Sequence, residues 1–388
     1  MVFALSGARV LVDGALLDGL AVVVDGERIA SAVPVEHVPA NTERVPLAGG
    51  ILVPGFIDLQ VNGGGGVLLN EDPTPEAVAA IAAAHRGYGT TGLLPTVITD
   101  RPDVTWAAVE AVRRARAAGA REVLGIHVEG PFLDPARRGA HPADRIRPIG
   151  ADDMARLAAA ARGPESCGTV LVTLSPAHVP PETIATMVAA GVVVSLGHSD
   201  ASAEQALAAL AAGASGFTHL FNAMSQLGHR APGMVGAALA TPGAYCGLIA
   251  DGFHVDPLAL KVAIAAKPAG RVVLVSDAMP PAAGGPDHFA LQGREVRRVG
   301  ERLELADGTL AGSNITMADA VRFLVERLGV DRATALGMAT ANPAAWIGRG
   351  EEIGRIAPGL RADLVHLCED LRVRATWVAG ERRAAAEA

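Results

Sequence analysis

The chain has 388 residues, half of them hydrophobic and 19% charged, a balance that belongs to globular proteins and excludes a disordered chain. A formal net charge of -8 argues against a nucleic-acid partner, whose phosphates demand a basic face, but leaves room for a small anionic substrate in a locally basic site. Of the 33 basic residues only Lys261 and Lys267 are lysines; with the abundant alanine, this reads as base-composition bias. Cys167, Cys246 and Cys368 are far apart, which fits a reducing cytoplasm and excludes a thiolate zinc cluster. The start lacks a basic region and meets Asp13 and Gly14 early, so no signal peptide is read. Apolar runs break well short of the ~20 residues that span a bilayer, so no membrane partner is expected.

In chain order, Ala8 to about Val53 shows short apolar runs broken by turns, with Asp25-Gly26 as a hairpin signal. The stretch from about Gly354 has the same rhythm, so both ends are expected to build one small β-sandwich, residues 1–53 with 350–388. Between them, over 54–349, eight strand-like runs alternate with alanine-rich helical segments: Pro54–Gln60, Gly92–Val97, Glu122–Val128, Thr169–Leu174, Val192–Leu196, Gly216–Leu220, Cys246–Ala250 and Arg271–Ser276. Helices are expected at Thr74–Gly87, with Thr74 as N-cap and Pro75 first in the helix, and at Val104–Ala118, Ser202–Ala212 and Thr316–Leu328. Continuous apolar strands alternating with helices imply an α/β fold with a covered parallel sheet, and eight units imply closure into a (β/α)₈ TIM-type barrel. An open doubly wound sheet is the alternative, without a dinucleotide glycine fingerprint to support it. Phe289–Leu310 alternates and turns at Asp307-Gly308, which reads as a hairpin inserted after the eighth strand.

The chemistry of such barrels sits at the carboxyl ends of the strands. There this apolar chain is unusually polar: Asp58, Gln60 and Asn62 after the first strand, His127 and Glu129 at the third, His198 at the fifth, His219 and Asn222 at the sixth, Asp251 and His254 at the seventh, Asp277 at the eighth. Glu129, His198 and His219 offer one carboxylate and two imidazoles, a set that holds a catalytic divalent metal with a position open for water. Asp277 faces the same space and could shuttle a proton. His127 is either an orienter of a ligand or a core histidine; Asp58 is a ligand or, in the favoured reading, a cap of backbone amides. Gly63–Gly66 cradles a phosphate or makes a tight turn. His37, His85, His178, His288 and His366 have no convergent partner and read as structural, and Arg137-Arg138 as a solvated loop.

The strings PGFIDLQVNGGGG, HVEGPFL, SLGHSDA, THLFNAM, IADGFHVD, LVSDAM, GTLAGSNITM and ATANPAAWIG resemble, in order and spacing across the whole chain, the N-acetylglucosamine-6-phosphate deacetylase family of the amidohydrolase superfamily. The resemblance implies a barrel with a small sandwich from both termini, and hydrolysis of the sugar's acetamide by a metal-activated water in amino-sugar catabolism. It implies a metal at Glu129, His198 and His219, an acid/base at Asp277, and a carbonyl-polarising His141. Ala140, Asn222, Ala223 and Leu310, Ala311, Gly312 and Ser313 match substrate-contacting loops. Arg230 and His254 match phosphate-recognising positions, one of which is expected to reach across a homodimer interface.

Where many superfamily members carry His-x-His after the first strand, this chain has Gln60 and Asn62, poor metal ligands, and neither lysine lies after the fourth strand to bridge two ions. One divalent ion per subunit is therefore expected, zinc first and iron(II) also suited. Deacetylation of another N-acyl amino sugar or amino acid, a cyclic-amide hydrolase, and a catalytically dead sugar-phosphate sensor are the alternatives.

Overall fold

The computed structural model describes residues 1–384. All eight runs read as barrel strands lie in one parallel eight-stranded sheet, in chain order: β1 (Phe56–Val61), β2 (Thr90–Ile98), β3 (Gly125–Glu129), β4 (Thr169–Leu174), β5 (Val193–Leu196), β6 (Gly216–Phe217), β7 (Tyr245–Leu248) and β8 (Val272–Leu274). Closure of β8 onto β1 comes at the carboxyl end, where the Asp277 N–H donates to the Gln60 carbonyl at 3.0 Å and the Asn62 N–H to that of Ala278 at 2.9 Å. The strands are apolar on both faces because both are covered. In β3, Ile126 and Val128 pack outward with Val170, Val172 and Leu174 of β4 into the main core, while His127 and Glu129 take the alternate, inward positions. Ile57, Leu59, Leu124 and Leu171 fill the lower interior, and Trp346 and Ile353 pack into the same cluster.

Three of the four expected helices start where their caps put them, while the one expected at Val104 begins at Pro102, whose ring presets the first turn. Thr74 accepts the Ala77 N–H at 3.2 Å ahead of the helix Pro75–Arg86, while Ser202 and Thr316 form capping boxes ahead of Ala203–Ala211 and Met317–Leu328. Strands from both termini form two further sheets, one of four strands and one of six, in which Ile51–Pro54 pairs with Leu364–Leu367. Their shared core holds Leu5, Val22, Val24, Leu52, Leu364 and Trp377. No helix among the described residues is long and apolar enough to cross a membrane. The insertion after β8 differs from the expected hairpin: it is a three-stranded antiparallel sheet, His288–Leu291, Arg294–Val299 and Arg302–Leu305. Asp307-Gly308 does reverse the chain, but after the third strand, where Leu310 bridges back to Glu304. Leu291, Val296 and Leu303 pack with Leu68, Ile98, Met279 and Ala311, so the sheet rests on the barrel mouth.

Candidate active site

The barrel interior is layered. Above the apolar floor lies a belt of hydroxyls: Thr173 Oγ1 is 2.7 Å from His127 Nε2 and 2.6 Å from Thr218 Oγ1, which is 2.7 Å from Ser195 Oγ. Burial pushes the His127 pKa down to about 4, so the ring is neutral in this belt; it joins no metal-facing cluster and is a packing histidine. One pleat higher stands Glu129. Its Oε1 lies 3.0 Å from His219 Nε2 and 3.2 Å from His198 Nε2, and the two imidazole nitrogens are 3.0 Å apart. All three residues are buried, and these atoms form a group that could hold a metal ion. Their spacing approaches the edge of about 3.3 Å that a tetrahedron has when its bonds are about 2.0–2.1 Å long. His198 Nδ1 is 3.0 Å from the Arg137 carbonyl, which can only accept, so the proton sits on Nδ1 and Nε2 keeps its lone pair for a cation. Burial pushes the Glu129 carboxyl up, but the adjoining His198 and His219 imidazoles outweigh it and hold the pKa well below the ordinary value, as a ligand carboxylate requires.

Gln60 and Asn62 face this group as donors. Gln60 Nε2 lies 3.2 and 3.1 Å from the two Glu129 oxygens and 3.2 Å from Asp277 Oδ1, and Asn62 Nδ2 lies 2.6 Å from the same Asp277 oxygen. An amide dipole thus stands between the two carboxylates, where a second bridging cation would have to sit. Burial and then the Glu129 charge raise the Asp277 pKa above the ordinary carboxylate value. Asp58 lies deeper. It accepts the N–H groups of Gln60 and Ser276, each at 3.2 Å, and the Ser276 hydroxyl, and burial lifts it to about 7; it caps backbone, the favoured of its two sequence readings. His198, His219 and Asp277 all have positive φ, 46°, 28° and 52°, backbone strain gathered where strands deliver these side chains.

A cavity of about 270 Å³ opens above these groups. Glu129, His141, His198, His219 and Asp277 reach it, as do Ala140, Asn222, Ala223, His254, Leu310 and Gly312. The sequence profile of the Amidohydrolase family matches residues 51–383. The chain belongs to the amidohydrolase family. It is 44% identical over 378 residues to an N-acetylgalactosamine-6-phosphate deacetylase of Shewanella sp. (strain ANA-3), covering 97% of this chain and 94% of the relative. It is 38% identical to the N-acetylglucosamine-6-phosphate deacetylase of Homo sapiens, over 87% of this chain and 85% of that one. Among solved structures, N-acetylglucosamine-6-phosphate deacetylase from Pasteurella multocida superposes with a TM-score of 0.95 at 35% identity, over 99% of this chain and 100% of the other.

Three of the expected substrate residues of this amidohydrolase do not line the cavity. Arg230 is exposed on the loop before the helix Gly233–Ala240. Ala311 is buried beneath the inserted sheet, and Ser313 is buried with its N–H donated to the Asp277 carbonyl at 2.8 Å, so it shapes the backbone at Asp277 instead. The glycine run is a turn: the N–H groups of Gly63, Gly65 and Gly66 are all donated to backbone carbonyls, leaving them none for a phosphate, and a Cβ on Gly64 would stand 2.4 Å from His85 Nε2. Ile98, Ile249 and Met279 add apolar wall that carried no polar signal in the sequence. A hydroxyl also went unnoticed: Thr99 Oγ1 is 2.8 Å from His141 Nδ1.

Proposed function

We propose that this amidohydrolase hydrolyses the acetamide of N-acetyl-D-glucosamine 6-phosphate to glucosamine 6-phosphate and acetate. The observation that carries the reading is the meeting of Glu129, His198, His219, Asp277 and His141 in one cavity. Glu129, His198 and His219 would hold a single divalent ion, zinc or iron(II), which would supply a water of lowered pKa and a Lewis acid. Asp277 accepts the proton of the attacking water and returns it to the departing nitrogen, a role its raised pKa favours. His141 donates to the carbonyl oxygen as negative charge develops there. Asn222, Ala223, Ala140, Leu310 and Gly312 enclose the sugar. Asp251 Oδ2 lies 2.6 Å from His254 Nδ1 and orients that ring toward the phosphate. The three unpaired cysteines support a cytoplasmic enzyme.

The second reading is the C4 epimer, N-acetylgalactosamine 6-phosphate, which the Shewanella relative is named for. One assay tests both: acetate release from each sugar phosphate and from unphosphorylated N-acetylglucosamine, with and without chelator. Chelator-sensitive release from N-acetylglucosamine 6-phosphate at the higher kcat/KM is expected. Faster turnover of the galactose epimer replaces the first reading with the second, and release from neither overturns both.

A homodimer is part of the proposal. Leu227, in the loop of Arg230, and Phe253, beside His254, are about half exposed, as befits a face covered by a second copy. Arg230 would then reach the partner's phosphate site. Arg230→Ala is expected to raise KM by about 10–100-fold with little change in kcat, the cost of one charge-assisted hydrogen bond. Mixing Arg230→Ala and Asp277→Asn chains should restore about a quarter of wild-type activity if Arg230 acts across a twofold interface; no restoration on proven mixing refutes that placement.

A further inference from the structure

We infer that Thr99, at the carboxyl end of β2, is a positioning residue that fixes the tautomer of His141. This rests on the proposed role of His141 as donor to the acetamide carbonyl. A neutral imidazole can donate from Nε2 only if Nδ1 is the acceptor, and the ring does not choose between the two forms. The Thr99 side chain is buried, and among the described residues its hydroxyl has one hydrogen-bond partner, His141 Nδ1 at 2.8 Å. If Nδ1 carried the proton and donated to Oγ1, the hydroxyl hydrogen would be left buried with no acceptor. The hydroxyl therefore donates, Nδ1 accepts, and the proton lies on Nε2, which reaches the cavity with no protein partner among the described residues.

The surroundings hold this pair in register. A Cβ on Gly130, which directly follows Glu129, would stand 2.2 Å from Thr99 Oγ1, so the glycine makes the room that the hydroxyl occupies. The tip of the inserted sheet clamps both backbones: Gln292 Nε2 donates to the Thr99 carbonyl at 2.7 Å, and Arg294 donates to the Ala140 carbonyl at 2.6 Å. The His141 ring lies 4.3 Å from that of His198, tilted by 57°, which leaves it little freedom to flip.

The test is a double-mutant cycle with Thr99→Val, Thr99→Ser and His141→Gln, read by kcat, KM, bound metal and the ¹⁵N spectrum of the zinc-loaded, histidine-labelled protein. Thr99→Val should lower kcat about 10–100-fold at near-constant KM and metal content, the scale of losing an orienting partner. Thr99→Ser, which keeps the hydroxyl, should stay within about 3-fold, and in the His141→Gln background Thr99→Val should cost less than about 2-fold because its route is gone. In the spectrum, the signals lost in His141→Gln should show Nε2 protonated in the wild type, and a mixture of tautomers in Thr99→Val. An equal loss of kcat in both backgrounds, or a wild-type His141 protonated on Nδ1, overturns the assignment. The spectrum decides this even if neither sugar phosphate is a substrate, so failure of the proposed activity and failure of this inference are separable.

Discussion

Replacing Asp277 by Asn is expected to lower kcat by about 10²–10⁴-fold, the share that one well-placed proton-transfer group supplies, while the metal content stays at the wild-type value. The substitution is a clean one here for three reasons. The Asn carbonyl can take the place of Oδ1 and still accept from Asn62 Nδ2 and Gln60 Nε2, now at 2.6 and 3.2 Å. The residue sits at φ 52°, a left-handed conformation that Asn adopts more readily than most side chains. None of Glu129, His198 and His219 is touched, so the group that could hold the ion remains whole. What disappears is a basic oxygen. Steady-state kinetics with metal analysis checks this: turnover within about 10-fold of wild type would place the proton shuttle elsewhere, and coincident loss of metal would make Asp277 a ligand instead.

The barrel was legible because its strands are buried on both faces and so read as unbroken apolar runs, and its helices because Thr74, Ser202 and Thr316 cap them in the way their side chains dictate. The candidate ligands stood out for a related reason: in an interior this apolar, an acid or imidazole at a strand end is conspicuous. What the sequence hid was anything decided by long-range fit. The inserted sheet was read with two turns too few because Gln292-Gly293 and Gly300-Glu301 carry weaker hairpin signals than Asp307-Gly308, and alternation marks a strand without naming its partner. Asp58 had two readings until the strand beside it supplied the Ser276 N–H and hydroxyl that it caps. Thr99 went unseen since one hydroxyl among many has no signature; its meaning comes from a loop 42 positions away. Arg230 was named by resemblance, and its exposure in a single chain shows why spacing alone could not have aimed it.

Glu129→Gln is expected to abolish metal retention and activity together, with kcat falling at least about 10⁴-fold, because bulk water has a pKa of about 15.7 and an ion in such a site lowers it to about 7. The carboxylate is the one anion among the three donors, and without it two neutral imidazoles are left to hold a dication in a buried site. The same residue bears on the number of ions. Both Glu129 oxygens already accept from Gln60 Nε2 at 3.1–3.2 Å, and that amide also reaches Asp277, so the space between the carboxylates is filled by a donor and repels a second cation. Elemental analysis of the wild type should therefore give one equivalent per chain. Two equivalents would mean that the Gln60 amide moves aside for an ion, and metal retained by the Glu129→Gln protein would mean that the cation sits away from Glu129, His198 and His219.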